Sequence, residues 1–252
     1  MQKNEEDRVL SAINSVKEWV DEVIVVDSGS TDRTVAVAEA AGAKVFFNQW
    51  DGYGKQKRFA EDQCQNLWLL NIDADEEVTP ELAKEITQLF DPAPPDDIYK
   101  VHIVNVFAHE TRPAKWAYGY WQYRLYHKEY GRFAVSTVHD TVRPFAGAQT
   151  AKLMGKISHR SQRSIQFVVE KLNRYSDMQV QDMVSHGRTI TRFRLLTEFP
   201  LAFLKSYVIR RSFVYGWWGL IIAYNHAYSR FVRVAKAYED QLMSKSSAPP
   251  RE

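Results

Sequence analysis

The hydrophobic positions of the first ninety residues change their period repeatedly. Between residues 5 and 18, Val9, Ile13 and Val16 recur at helical spacing. The β-branched run Val23-Ile24-Val25-Val26 then follows, of the kind found in buried parallel strands. Thr31-Asp32 offers a cap for a helix reaching about Ala41, where Gly42 stops it. Lys44–Phe47 predicts a strand, Lys55–Asn66 a helix, Leu67–Ile72 another buried strand, and Pro80–Phe90 a helix opened by Thr79 and Pro80. This alternation predicts an α/β fold, Rossmann-like, with a mostly parallel sheet whose ligand site lies at the carboxyl ends of its strands. A doubly wound unit normally opens on a strand, yet Met1-Gln2-Lys3-Asn4 leads straight into helix. Either the sheet lacks an expected strand or the true start lies upstream.

Residues 91–97 form a rigid acidic loop with three prolines. Beyond it, Ile98–Phe107, Gln122–His127 and Lys152–Ser158 predict strands of a more mixed, aromatic-rich half-sheet, and the pattern from Ser164 to about Tyr238 is helical. The expected organisation is a catalytic domain over 1–160, a helical region over 161–242 and a disordered polar tail over 243–252. The longest stretch without Lys, Arg, Asp or Glu runs from Ser212 to Ser229, with an apolar centre at Phe213–Tyr224. A bilayer span needs roughly 20 apolar residues, so no transmembrane helix is predicted.

Composition narrows the class. The chain has 252 residues, 45% hydrophobic and 25% charged, which excludes disordered and fibrous proteins. A single cysteine, Cys64, cannot form an intramolecular disulfide, and no secretory signal opens the chain, so a cytoplasmic location is expected. The net charge of +2 hides an asymmetry: residues 1–150 carry 16 Lys and Arg against 24 Asp and Glu, whereas residues 151–252 carry 17 against 7. The two parts are expected to face different partners.

Candidate chemistry sits at strand ends. The strand at Val23–Val26 ends in Asp27-Ser28-Gly29-Ser30-Thr31-Asp32, and that at Leu67–Ile72 ends in Asp73-Ala74-Asp75-Glu76, so both acidic clusters are expected to converge on one cleft. Asp27 is as well suited to capping a turn as to chemistry. Asp73 and Asp75 are different, because alternate carboxylates after a buried strand repel one another and a cation relieves this. Oxygen ligands suit Mg2+ or Mn2+, either of which bridges a bound diphosphate. Neither a Gly-x-x-x-x-Gly-Lys-Ser/Thr loop nor a Gly-x-Gly-x-x-Gly turn is present, which argues against a Walker NTPase and a dinucleotide oxidoreductase. Lys55, Lys57 and Arg58 follow the turn at residues 51–54, and either meet phosphate or base or form a solvated helix face.

Two further groups stand out. Trp116, Tyr118, Tyr120, Trp121, Tyr123 and Tyr126 either pack a strand or stack on acceptor sugar rings. Between Arg188 and Lys236 nine Lys or Arg accompany a single acid, Glu198, and are interleaved with aromatic residues. No nucleic-acid recognition motif accompanies them. The spacing suits an interfacial helix on an anionic leaflet, with helices that simply cover the catalytic domain as the alternative.

Four motifs taken in order, Asn4-Glu5-Glu6, the Val25–Asp32 run, Gly54-Lys55-Gln56-Lys57 and Asp73-Ala74-Asp75-Glu76, resemble the family 2 inverting glycosyltransferases of the GT-A fold. Arg124-Leu125-Tyr126, Val138-His139-Asp140, His159 with Arg163-Ser164, and the run 170–175 resemble the branch of lipopolysaccharide core-biosynthesis beta-glucosyltransferases. The resemblance implies a UDP-sugar donor and a divalent metal, Mg2+ or Mn2+, held at a DXD motif. It also implies a lipid-linked saccharide acceptor met at the cytoplasmic surface of the inner membrane, and no nucleic acid. Asp27 would meet the uracil ring, Asn4 and Glu5 would lie beside the nucleotide, and Lys55 or Lys57 near base or phosphate. Asp73 would approach ribose and metal, Asp75 would ligate the metal, His159 would complete the metal site, and Asp140 would be the catalytic base. Two departures accompany the resemblance: the family's strand ahead of Asn-Glu-Glu is absent, and Asp140 follows His139 where the branch more often has Glu. Rival readings are a polyprenyl-phosphate sugar transferase and a catalytically inactive nucleotide-sugar-binding protein.

Overall fold

The computed structural model describes residues 4–107, 109–135, 141–186 and 189–246. They divide into two compact units, one of residues up to 106 together with 119–161, the other of 107–118 together with 162 onward.

The first unit carries the alternation read from the sequence. Helix α1 (Val9–Asn14) buries Val9, Ala12 and Ile13. Strand β1 (Ile24–Asp27) pairs in parallel with β2 (Lys44–Phe47), and α2 (Thr34–Ala40) crosses between them. Val9, Ile13, Val25, Ala38 and Ala43 form the small core that this crossover closes. Helix α3 (Tyr53–Gln63) precedes β3 (Trp68–Leu70), which is followed by β4 (Glu76–Val78) and α4 (Pro80–Leu89). Thr79 caps α4 by accepting the Leu82 N–H.

Strands β5 (Ile98–Asn105), β6 (Gly119–His127) and β9 (Thr150–His159) complete a five-stranded sheet in the order β3-β6-β5-β9-β4. Strands β7 (Gly131–Phe133) and β8 (Val142–Pro144) pair separately. The sheet is mixed rather than mostly parallel: within the five strands only β5 and β9 run parallel, and the β3–β6, β5–β6 and β4–β9 pairs are antiparallel. The reason is the connections. Between residues 91 and 159 no described helix crosses over the sheet, and a parallel neighbour needs a crossover. The main core lies under this sheet, where Leu82 and Ile86 of α4 meet Val101, Ile103, Leu125 and Ile157. A Cβ at Gly155 would come within 2.4 Å of the Leu82 backbone, so only glycine lets β9 approach α4 this closely.

Among the described residues strand β1 has only β2 as a neighbour and β3 only β6. A cavity of about 760 Å3 is lined by Val23, Val25, Leu67, Leu69, Val9 and Val16 among others, so it touches both strands.

The second unit is helical. It contains α5 (Ile165–Ser185), α6 (Arg192–Leu204), a π-helical turn at Lys205–Ile209, a 3-10 turn at Ser212–Tyr215 and α7 (Gly216–Ser246). Val180 and Met183 of α5 pack with Ile190 and with Val234 and Ala237 of α7. Helix α7 runs past Leu242 to Ser246, beyond the expected helix end, and residues 247–252 lie outside the described residues. None of the described helices is long and apolar enough to cross a membrane.

Candidate active site

The turn after β1 is built by its own side chains. Asp27 accepts the N–H groups of Gly29 at 2.7 Å and Ser30 at 2.9 Å through Oδ2, and the Ser30 hydroxyl at 2.5 Å through Oδ1. Gly29 has φ of 94°, a conformation that glycine adopts without strain. The amino-terminal segment is stitched to this turn. Asn4 donates its N–H to Ser30 Oγ at 3.2 Å and accepts the Thr31 N–H at 2.9 Å, and the Glu5 N–H donates to Thr34 Oγ1 at 2.8 Å.

From Glu5 the network passes through Arg8 to the second acidic cluster. Glu5 is buried and its Oε2 accepts from Arg8 Nε at 2.9 Å, while Arg8 also lies 3.5 Å from Asp75 and donates to the Arg160 carbonyl at 2.9 Å. Asp75 Oδ2 stands 3.3 Å from His159 Nε2. Antiparallel pairing of β4 with β9 sets this approach, because Glu76 lies opposite His159. Burial works against the charge of Asp75, but the hydrogen bond and charge of His159, followed by Arg8, hold its carboxyl below the ordinary value. The same pairing reverses the effect of burial on His159, raising its pKa above the ordinary value.

Asp73 faces a different set of partners. Lys57, buried on α3, bonds both Asp73 and Asn71 Oδ1, the latter at 2.9 Å. Arg124 on β6 reaches Asp73 at 3.4 Å, Asn71 Oδ1 at 2.9 Å and Glu76 at 2.6 Å. Burial opposes ionisation of Asp73, yet Lys57 and Arg124 hold it well below the usual carboxylate range. Glu76 is 0% exposed, and burial pushes its pKa up despite Arg124. Helix α3 is fixed one turn further on by Glu61, which accepts the Tyr126 hydroxyl and the Phe133 N–H, each at 2.9 Å. That anchoring is what aims Lys57 at the acids.

The structure thus ties Asn4 and Glu5 to the Asp27 turn, Asp75 to His159, and Lys57 to Asp73. Lys55 is turned away, bonding the exposed Asp51 at 2.5 Å. Asp140, with His139, lies outside the described residues. Of the aromatic run, Tyr126 is core, whereas Trp121 is exposed and stacks on His102 at 5.0 Å. Sequence reasoning missed Arg8, and it named Glu76 and Arg124 only as members of motifs, without a role of their own in the site. The available signal was a charged residue inside the apolar strand pattern around Leu125-Tyr126. Among the described residues no three His, Cys, Asp or Glu side chains are grouped to hold a metal. Two of the expected ligands are nevertheless adjacent, and the buried Nδ1 of His159 has no hydrogen-bond partner among the described residues. A carboxylate oxygen beside an imidazole nitrogen is a donor set that fits Mn2+ or Mg2+.

Asp27 at the end of β1 in the βαβ unit, with the Asp73–Glu76 cluster following β3 of the mixed five-stranded sheet, fits a glycosyltransferase of the GT-A type. Residues 2–154 match Glycosyl transferase family 2, and the chain belongs to that family. An uncharacterized glycosyltransferase of Rickettsia felis is 44% identical over 97% of this chain and 89% of its own length. The lipopolysaccharide core biosynthesis glycosyltransferase LpsC of Rhizobium meliloti is 30% identical over 94% of this chain and 89% of its own. Among solved structures, glucosyl-3-phosphoglycerate synthase of Mycobacterium tuberculosis, crystallised with Mn2+, UDP-glucose and phosphoglyceric acid, is 24% identical. It covers 43% of this chain and 42% of that one, with a TM-score of 0.34.

Proposed function

We propose that the chain is an inverting glycosyltransferase that moves a sugar, glucose first among the candidates, from a UDP-sugar to a lipid-linked saccharide such as the lipopolysaccharide inner core. The acceptor is met at the cytoplasmic surface of the inner membrane. The observation that carries the donor half is the continuous network from the Asp27 turn through Asn4, Glu5 and Arg8 to Asp75 and His159. It holds a nucleotide-binding turn and an acidic, cation-ready pair in fixed relation within one unit. The acceptor half is supported by the likeness to LpsC along nearly the whole chain.

In this reading the uracil ring lies beside Asp27, the ribose beside Asp73, and the diphosphate near Lys57. A divalent ion held by Asp75 and His159, with Asp73 beside it, would neutralise charge on the leaving diphosphate. Lys57 and Arg124 keep Asp73 ionised, and His159, followed by Arg8, does the same for Asp75, so both carboxylates are charged at neutral pH. The acceptor oxygen forms its bond to the anomeric carbon from the face opposite the diphosphate. The bond to UDP breaks with its electron pair leaving on UDP, and Asp140 takes the hydroxyl proton. One base suffices for inversion.

Asp140→Asn tests the assignment, because it keeps size and removes basicity. Affinity for the UDP-sugar is expected to stay near normal while transfer falls about 10²–10⁴-fold, the usual contribution of a general base. A folded variant that keeps most of its rate moves the base to another carboxylate.

A further inference from the structure

The connection between α6 and α7, with the two helices themselves, exposes apolar side chains in two stripes. Phe193, Leu196, Pro200, Leu204 and Val208 recur at intervals of three or four along α6 and its π-helical continuation. Phe193 is 73% exposed and Leu196 75%. On α7, Trp217, Ile221, Tyr224 and Tyr228 recur in the same way, and Trp217 is 84% exposed. Such spacing puts each set on one helical face. The faces that pack inside the unit are different ones, carrying Ala202, Ala223, Ala227 and Val234, all buried. Ile209 and Phe213, both exposed, join the stripes at the connection.

The charge around these stripes has one sign. Between residues 189 and 238 the one acid is Glu198. It is held by Arg194 at 3.1 Å, Arg230 at 2.9 Å and Arg233 at 3.5 Å. Arg192, Lys205 and Arg211 are exposed beside the apolar positions and make the face cationic. Exposed apolar patches of this extent mark interaction surfaces. A second copy of the chain would set this basic face against itself, whereas anionic headgroups neutralise it. No described helix can cross a bilayer, so the face lies along one.

We propose that the α6–α7 face docks in the plane of an anionic phospholipid surface. Phe193, Leu196, Leu204, Val208 and Trp217 enter the acyl boundary, and Arg192, Lys205 and Arg211 meet the phosphates. The proposal deepens the reading above, on which it rests for a lipid-bound acceptor. Flotation with mixed phosphatidylcholine–phosphatidylglycerol vesicles tests it, with pure phosphatidylcholine vesicles as the control. Wild-type chain is expected to float with the anionic vesicles and to dissociate in high salt. Leu196→Asp and Trp217→Asp, at sites too exposed to disturb the fold, are each expected to weaken binding about tenfold or more. Trp217→Phe identifies that indole's share of the blue shift in tryptophan emission on binding. Variants that float like wild type overturn the proposal, and so does equal partitioning onto neutral and anionic vesicles. A dimer dispersed by Leu196→Asp without vesicle binding overturns it as well. Transfer to a water-soluble, delipidated acceptor separates the two readings: it persists in both Asp variants if catalysis stands alone. Vesicle binding without any transfer sinks the catalytic reading and leaves this one standing.

Discussion

Asp75→Ala is expected to reduce sugar transfer by at least about 10³-fold, the scale of losing the charge stabilisation a bound cation gives a leaving group. The fold should survive. Asp75 is partly exposed, Arg8 remains bonded to Glu5 without it, and His159 loses the hydrogen bond and the charge that favour its protonated form. A modest stability loss of about 1–2 kcal/mol is the expected cost of one partly buried pair. Circular dichroism and thermal melting check the fold, and turnover with Mn2+ checks the chemistry. Wild-type activity in the variant, especially in the presence of chelator, would remove Asp75 from the mechanism.

Arg124→Met is expected to be the most destabilising single change in the site. The guanidinium is buried and bonds Glu76, which is wholly inaccessible, as well as Asn71 and Asp73. Taking away one partner of a buried ion pair leaves an uncompensated charge and costs about 3–5 kcal/mol. The loss should be non-additive. Adding Glu76→Gln removes the orphaned charge while keeping an oxygen able to accept the Asp73 N–H that Glu76 now accepts at 2.9 Å, so the double variant should recover part of the loss. Chemical denaturation of the single and double variants measures this directly. A single variant as stable as wild type would show that the cluster carries no structural weight.

These two residues also show where the sequence was legible and where it was not. Strands β1 and β2 and helices α2 and α4 follow the predicted segments closely, because buried β-branched runs, helical periodicity and a Thr-Pro start are local signals. The acidic ends of β1 and β3 are likewise visible from position alone. Strand β4 was not. Glu76-Glu77-Val78 reads as the tail of an acidic turn, yet Glu76 and Val78 point inward and pair across the sheet with β9. Its burial depends on Arg124, which lies 48 residues away in sequence, and no local pattern encodes such a partner. Arg8 is the same case, bonding a carbonyl 152 residues distant. A mixed half-sheet was expected beyond residue 97, but which of its strands run parallel was hidden for a related reason: strand direction is set there by pairing across long separations, not by the composition of each strand.

The most direct test of the account is the stereochemistry of the product. The chain is incubated with UDP-glucose, whose glucosyl bond is α, together with Mn2+ and a lipid-linked core saccharide, and the anomeric proton of the transferred sugar is read by NMR. The account predicts one UDP released per sugar transferred and a β-linked product, as required by attack opposite the leaving diphosphate with a single base. An α-linked product, or UDP-sugar binding with no transfer to any saccharide acceptor, would contradict it.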